Sequence, residues 1–174
     1  HKILPGIGEL IDGRVSTKML RDINYEDLLG RKPIQLDKRG IRDYLDDRVV
    51  LVTGCGGSIG SELCRQIVKY QPAKLILLDA GELNLFKIQM ELRHELYMSK
   101  FEPVLGQVQD IRLIDKVFEK FQPEVVFHAA AYKHVPMIET NPWQAVDNNI
   151  VGSRVVMDAA IRHNVGRFVL VSTD

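Results

Sequence analysis

Glycines at positions 54, 57 and 60, spaced G-x-x-G-x-x-G, follow the apolar run Val49-Val50-Leu51-Val52 and lead into Ser58-Ile59-Gly60-Ser61-Glu62-Leu63. A strand that delivers glycines to the start of a helix is suited to cradling a pyrophosphate. The glycines let the backbone turn tightly and approach the ligand, while the first helical amides and the helix dipole favour the anion. The spacing differs from the G-x-G-x-x-G of simple dehydrogenases. Asp79 closes the next apolar run, Lys74-Leu75-Ile76-Leu77-Leu78. It lies about twenty residues past the last glycine, where a dinucleotide site places the carboxylate that holds the adenosine ribose hydroxyls. The alternative role for Asp79 is to cap a helix expected over 82–98. An acid here repels a ribose 2′-phosphate and no arginine follows it at once, so the pattern reads as NAD over NADP.

These residues need elements to hold them. From Arg48 onward strand-like and helix-like segments alternate, which predicts an α/β fold, a Rossmann-type doubly wound parallel sheet covered on both faces. Strands are expected at about 48–53, 74–79, 103–108, 124–129 and 167–172. Ile59, Leu63 and Ile67 recur at helical spacing, as do Leu85, Ile88, Leu92 and Leu96, and both sets read as core. A short helix is expected over Ile111–Phe121. A long helix over 142–163 has Asn141 as its N-cap and Pro142 at its first position. Gly152, inside it, marks a close packing contact rather than a break.

Residues 1–47 read as an N-terminal arm, too short to bury a core of its own. Within it, Asn24 to Gly30 looks like a short capped helix, and Asp37 is placed to start another before Asp46. Residues 48–174 form the NAD-binding domain. Its last run, Arg167 to Asp174, stops where a ligand should sit, so the expectation is a piece of a longer enzyme whose substrate half is missing.

Composition narrows the function classes. Lys and Arg number 23 against 23 Asp and Glu, so no charge excess points to nucleic acid or an anionic membrane surface. No apolar run approaches the roughly eighteen residues that span a bilayer. Cys55 and Cys64 lack metal-type spacing, and the five histidines are scattered, so no metal is assigned and a reducing, cytoplasmic compartment is expected.

Several segments together carry a family resemblance. Thr53 to Gly60 resembles the T-G-x-x-G-x-x-G of extended short-chain dehydrogenase/reductases. His128-Ala129-Ala130-Ala131-Tyr132-Lys133-His134-Val135-Pro136, Asn141-Pro142, Asn149-Ile150-Val151-Gly152-Ser153 and the terminal Ser172-Thr173-Asp174 resemble one branch of them. That branch is the capsular-polysaccharide-type nucleotide-sugar 4,6-dehydratases, typified by UDP-N-acetylglucosamine 4,6-dehydratase. Gly8 to Gly13 and Glu26 to Arg31 resemble the linker of its long, membrane-anchored forms.

The resemblance implies roles position by position. Gly54, Gly57, Ser58, Ile59 and Gly60 would form the pyrophosphate turn. Asp79 and Glu82 would lie near the adenosine ribose, with Asp110 and Ile111 beside the adenine. Ala129 and Ala130 would admit the nicotinamide side, and Lys133 would reach the substrate's phosphate or sugar. Thr173 would bond the sugar 4-hydroxyl and Asp174 would act as general acid on the 6-hydroxyl. The implied reaction is redox-neutral dehydration of a UDP-N-acetylhexosamine for surface polysaccharide synthesis, catalysed by the longer parent and not by this piece. Members of the resembled family commonly pair as homo-oligomers through helices flanking the fifth strand, one of which this chain lacks, so the parent's oligomeric state stays open, and any membrane contact would be made by regions outside this chain. Two departures stand out, Gln107 where the family usually has aspartate and Cys55 where alanine is more frequent. Tyr70 and Lys74 form a chance Y-x-x-x-K that Pro72 bars from a helix. A nucleotide-sugar 4-epimerase and a non-catalytic NAD-binding scaffold are the rival readings.

Overall fold

The computed structural model describes residues 2–3, 21–22 and 37–172, so the helix expected at 24–30, Thr173 and Asp174 lie outside the described residues. The chain divides into two compact units, His1–Asp37 and Lys38–Asp174. In the first, β1 (Lys2–Ile3) pairs antiparallel with β2 (Arg21–Asp22), Lys2 facing Asp22 and Ile3 facing Arg21.

The second unit opens with α1 (Lys38–Leu45), whose Leu45 is buried in the core beside Val125 and Phe127. Then β3 (Val49–Thr53), α2 (Ser58–Val68), β4 (Lys74–Asp79), α3 (Glu82–His94), β5 (Phe101–Leu105), α4 (Ile111–Phe121) and β6 (Val125–His128) alternate. Two short helices follow, α5 (Val135–Thr140) and α6 (Pro142–Ala145), then a π-helical segment (Val146–Gly152), α7 (Ser153–Arg162) and β7 (Arg167–Leu170).

The five strands β3–β7 form one parallel sheet in the order β5-β4-β3-β6-β7. The strands alternate sides with period two, and both sides are apolar, as a sheet covered on each face requires. Val50, Val52, Leu75 and Leu77 point to α2 and α3, where they pack with Ile67, Leu85, Ile88 and Leu92. Leu51, Ile76, Leu78 and Val126 point the other way, onto Ile114, Val117 and Phe118 of α4 and Val156, Ala159 and Ala160 of α7. No helix among the described residues is long and apolar enough to cross a membrane.

Several boundaries differ from the expectations, β5 ending at Leu105 against 108 and β7 at Leu170 against 172 among them, and three differences have a physical reason. Strand β5 starts at Phe101 and not at 103, with Pro103 inside it. The strand is at the sheet edge, where a missing N–H costs no ladder bond on the open side. Helix α3 stops at His94 and not at 98, because Tyr97 turns left-handed (φ 51°) and the Met98 N–H closes back onto the Leu92 carbonyl at 2.8 Å. That wrap is how a helix ends when its left-handed residue is usually a glycine, and here it is a tyrosine. The expected long helix is interrupted by the π segment. Pro142 does open α6, but the Asn141 side chain caps nothing ahead of it, since its amide donates back to the Met137 carbonyl at 3.0 Å.

Candidate functional site

Strand β3 sits at the centre of the sheet; the chain steps from it to β4 and β5 on one side, then crosses back to β6 and β7 on the other, so the strand order reverses beside β3. The crevice beyond the carboxyl ends at such a point is where α/β sheets bind ligands. The turn that fills it is tightly built. Gly54 has φ +67°, and a Cβ there would lie 2.7 Å from the Ala129 carbonyl oxygen. A Cβ on Gly60 would lie 1.9 Å from the carbonyl oxygen of Gly54. Only glycine meets both demands, a left-handed backbone at 54 and backbone-to-backbone approach at 60.

Gly57 is the N-cap of α2, in extended conformation and with no side chain to offer a cap bond. Its N–H donates to the Gly54 carbonyl at 3.1 Å, and the Ser61 N–H donates to the Gly57 carbonyl at 2.9 Å. The amides of Ser58, Ile59 and Gly60 therefore have no intrahelical acceptor, and they carry the positive end of the helix dipole. Cys55 and Cys64 are fully buried beside the turn. Burial pushes the Cys55 thiol far up and the Cys64 thiol up to about 12, so both stay protonated and serve as small apolar side chains.

A cleft of about 220 Å³ opens along this turn. Its lining includes Gly54 and Gly57 of the turn, Asp79 and Asn84, Gly106 and Val108 after β5, Ala129, Ala130 and Tyr132 after β6, and Asn148 of the π segment. Asp79 is the last residue of β4 and only 8 % exposed. One carboxylate oxygen accepts from the Gly56 N–H and the other from the Gly81 N–H, each at 2.8 Å. Gly81, not Asp79, is the N-cap of α3. Each carboxylate oxygen uses one lone pair on the loop and retains acceptor capacity for a hydroxyl.

The remaining sequence-expected residues are spread more widely. Ala129 and Ala130 meet the glycine turn in the cleft wall. Ser58 and Ile59 stand exposed at the head of α2. Glu82 is exposed at the start of α3 and lies outside the cleft lining. Asp110 caps α4, its side chain accepting from the Leu113 N–H at 3.1 Å, and Ile111 is 56 % exposed beside it. On that side the cleft is lined by Gly106 and Val108 instead. Lys133 lines a neighbouring hollow of about 480 Å³ with His134, Met137 and Ile138; Ala131 and Tyr132 border both cavities.

Sequence reasoning missed three features. His128 ends β6 fully buried, with Nδ1 2.6 Å from Thr53 Oγ1 and Nε2 2.9 Å from Ser153 Oγ. Burial lowers its pKa to about 4, so the imidazole is neutral near pH 7. Asn149 holds the loop after β6 like a strand partner: its side-chain oxygen accepts from the Tyr132 N–H, and its amide donates to the Tyr132 carbonyl, both at 2.9 Å. Asn84 enters the cleft from α3. The available signal for His128 was its place as the lone polar residue closing an apolar strand. Asn149 grips backbone, which leaves no trace in side-chain pattern.

Comparison with known proteins gives this cleft a setting. Residues 50–174 match the protein family described as "Polysaccharide biosynthesis protein". The capsular polysaccharide biosynthesis protein CapD of Staphylococcus aureus is 43% identical over 173 residues, covering 98% of this chain and 29% of that relative. The chain thus spans less than a third of that relative's length. Among solved structures, Pen from Bacillus thuringiensis superposes with a TM-score of 0.68 at 30% identity, over 74% of this chain and 40% of Pen. The enzyme WbmH of Bordetella bronchiseptica, solved in complex with NAD+, gives a TM-score of 0.54 at 28% identity, over 70% of this chain and 37% of WbmH. The family match begins at the second residue of β3 and runs through the whole parallel sheet, so it takes in every residue that lines the cleft. The chain belongs to the polysaccharide biosynthesis protein family.

Proposed function

We propose that this chain is the NAD-binding part of a nucleotide-sugar 4,6-dehydratase of surface polysaccharide synthesis. The observation that carries the dinucleotide reading is the pairing, in one cleft, of uncapped helix amides with a strand-end carboxylate. The amides of Ser58, Ile59 and Gly60 suit a pyrophosphate. Asp79, held by Gly56 and Gly81, suits the ribose diol and disfavours a 2′-phosphate, hence NAD over NADP. Val108 and Gly106 offer an apolar, open lining for a flat ring, and Ala129 and Ala130 keep the lining low beside the glycine turn.

When bound, NAD supplies a hydride acceptor for C4 of the sugar. The chain's residues do the rest of what this part can do. Lys133 would reach the substrate phosphate or sugar from the adjoining hollow. Thr173 would hydrogen-bond the 4-hydroxyl, and Asp174 would protonate the departing 6-hydroxyl. Glu82, Asp110 and Ile111 lie outside the cleft lining, and their proposed places near the adenosine rest on the family resemblance alone. The dehydratase assignment, as opposed to epimerisation, rests on the resemblance of 128–136 and 172–174 to that branch.

The test is to incubate the full-length parent with UDP-N-acetylglucosamine and NAD and to weigh the product. Loss of one water without net NADH is the expected result. An unchanged mass with an epimeric product would replace the dehydratase with an epimerase. NAD binding without turnover of any nucleotide sugar would favour the scaffold.

A further inference from the structure

Three of the segments that build the cleft meet at one buried side chain. Thr53 is the last residue of β3, directly before Gly54. His128 is the last residue of β6, directly before Ala129. Ser153 is the first residue of α7, directly after the π segment that contains Asn148 and Asn149. The His128 imidazole touches both hydroxyls, Thr53 Oγ1 at 2.6 Å and Ser153 Oγ at 2.9 Å.

A neutral imidazole has one N–H and one bare nitrogen, and a hydroxyl either donates or accepts. Both ring nitrogens of His128 are therefore partnered in either tautomer. Backbone pairing already joins β3 to β6, since Thr53 faces His128 in register and the Ala129 N–H donates to the Thr53 carbonyl at 3.1 Å. What the imidazole adds is a polar tie from that pair to α7. It thereby links the strand ends that carry Gly54 and Ala129 to the helix that continues from the segment carrying Asn148. The ring is held on its flank by Phe168, 6.2 Å between centroids, so it is packed and not merely bonded.

We propose that His128 is a positioning residue that sets the spacing between the strand ends carrying Gly54 and Ala129 and the π segment carrying Asn148, and through it the affinity for the dinucleotide. The proposal rests on the NAD reading for its ligand but not for its geometry.

The test is a double-mutant cycle on the intact chain with NAD as probe, measuring dissociation constants and melting midpoints. Thr53→Val and Ser153→Ala should each weaken NAD binding by roughly five- to tenfold, and together by little more than the worse single, because each breaks the same brace. In a His128→Phe background, which keeps a ring against Phe168, both substitutions should be silent. Effects that multiply, or that persist in His128→Phe, overturn the proposal. So does a lowered melting midpoint with an unmoved dissociation constant, which is the mark of a purely structural bond. If His128→Phe does not fold, the cycle between Thr53 and Ser153 decides alone. If the wild-type chain does not bind NAD, the dinucleotide reading is what fails. The same cycle is then read by amide hydrogen exchange at Gly54 and Asn148, where independent responses would overturn the brace.

Discussion

Replacing Asp79 by asparagine should destabilise the chain even in the absence of any nucleotide. The carboxylate accepts two backbone N–H bonds of 2.8 Å, from Gly56 and Gly81, in a site that is 8 % exposed. A hydrogen bond to a charged group is worth about 1.5–3 kcal/mol net, and a neutral one about 0.5–1.5 kcal/mol. Asparagine keeps one acceptor oxygen and turns an NH2 toward the second N–H. One bond is lost, the other becomes neutral, and a donor faces a donor. Allowing for relaxation, the loss comes to about 2–3 kcal/mol. For a unit of this size that corresponds to a melting midpoint lower by about 8–12 °C. Circular dichroism melts of the nucleotide-free wild type and Asp79→Asn at pH 7 make the measurement. A midpoint within about 2 °C of wild type would refute the reasoning, because it would mean that the carboxylate does not hold the turn and matters only to a ligand. NAD affinity should fall at least tenfold in the same variant, by titration calorimetry, since the loop and the ribose acceptor fail together.

Gly60→Ala places a methyl 1.9 Å from the Gly54 carbonyl oxygen, backbone against backbone, and should abolish NAD binding and cost about 3 kcal/mol or more of stability by denaturant titration. At Gly152 a Cβ would meet Val108 Cγ2 at 2.6 Å, so Gly152→Ala should lower stability by about 1–3 kcal/mol, and Val108→Ala in the same chain should restore part of it. His128 gives a pH signature: its pKa is about 4 when folded and near 6.5 when unfolded, so the unfolded chain binds the extra proton. The stability it contributes is complete above about pH 6.5 and drains away as pH falls toward 4, by about 3 kcal/mol in all. His128→Gln should flatten that part of the stability profile between pH 7 and 5, and an identical slope in both chains would contradict the assignment.

The parts of this molecule legible in sequence are those set by local repetition. Runs such as Val49–Thr53 and Lys74–Asp79, apolar on both faces, mark central parallel strands, and the spacing of Gly54, Gly57, Gly60 and Asp79 marks the crevice they frame. What stayed hidden depends on partners distant in the chain. The tie of His128 to Thr53 spans 75 residues, and the grip of Asn149 on Tyr132 is to backbone, which any residue type supplies. Tyr97 ends α3 in a conformation that its residue type does not announce. Asp110 reads in sequence only as an adenine neighbour, whereas the structure displays a cap bond that this reading does not include, its side chain accepting from the Leu113 N–H.

The π segment at Val146–Gly152 makes this stretch sensitive to length in a way that composition does not reveal. Each residue of an α-helix advances the face by about 100°, and a π turn accommodates one residue more than its α counterpart. Removing a single residue from 146–152 would therefore let the segment close into regular α-helix with α7 kept near its present phase. Removing a second residue, or adding one to the segment, would rotate α7 by about 100°. Ser153 would then leave His128, and Val156, Ala159 and Ala160 would turn off the sheet they now cover. The segment thus holds one residue of slack between the stretch that lines the cleft and the stretch that covers the core, and only changes of length beyond that slack break the phase.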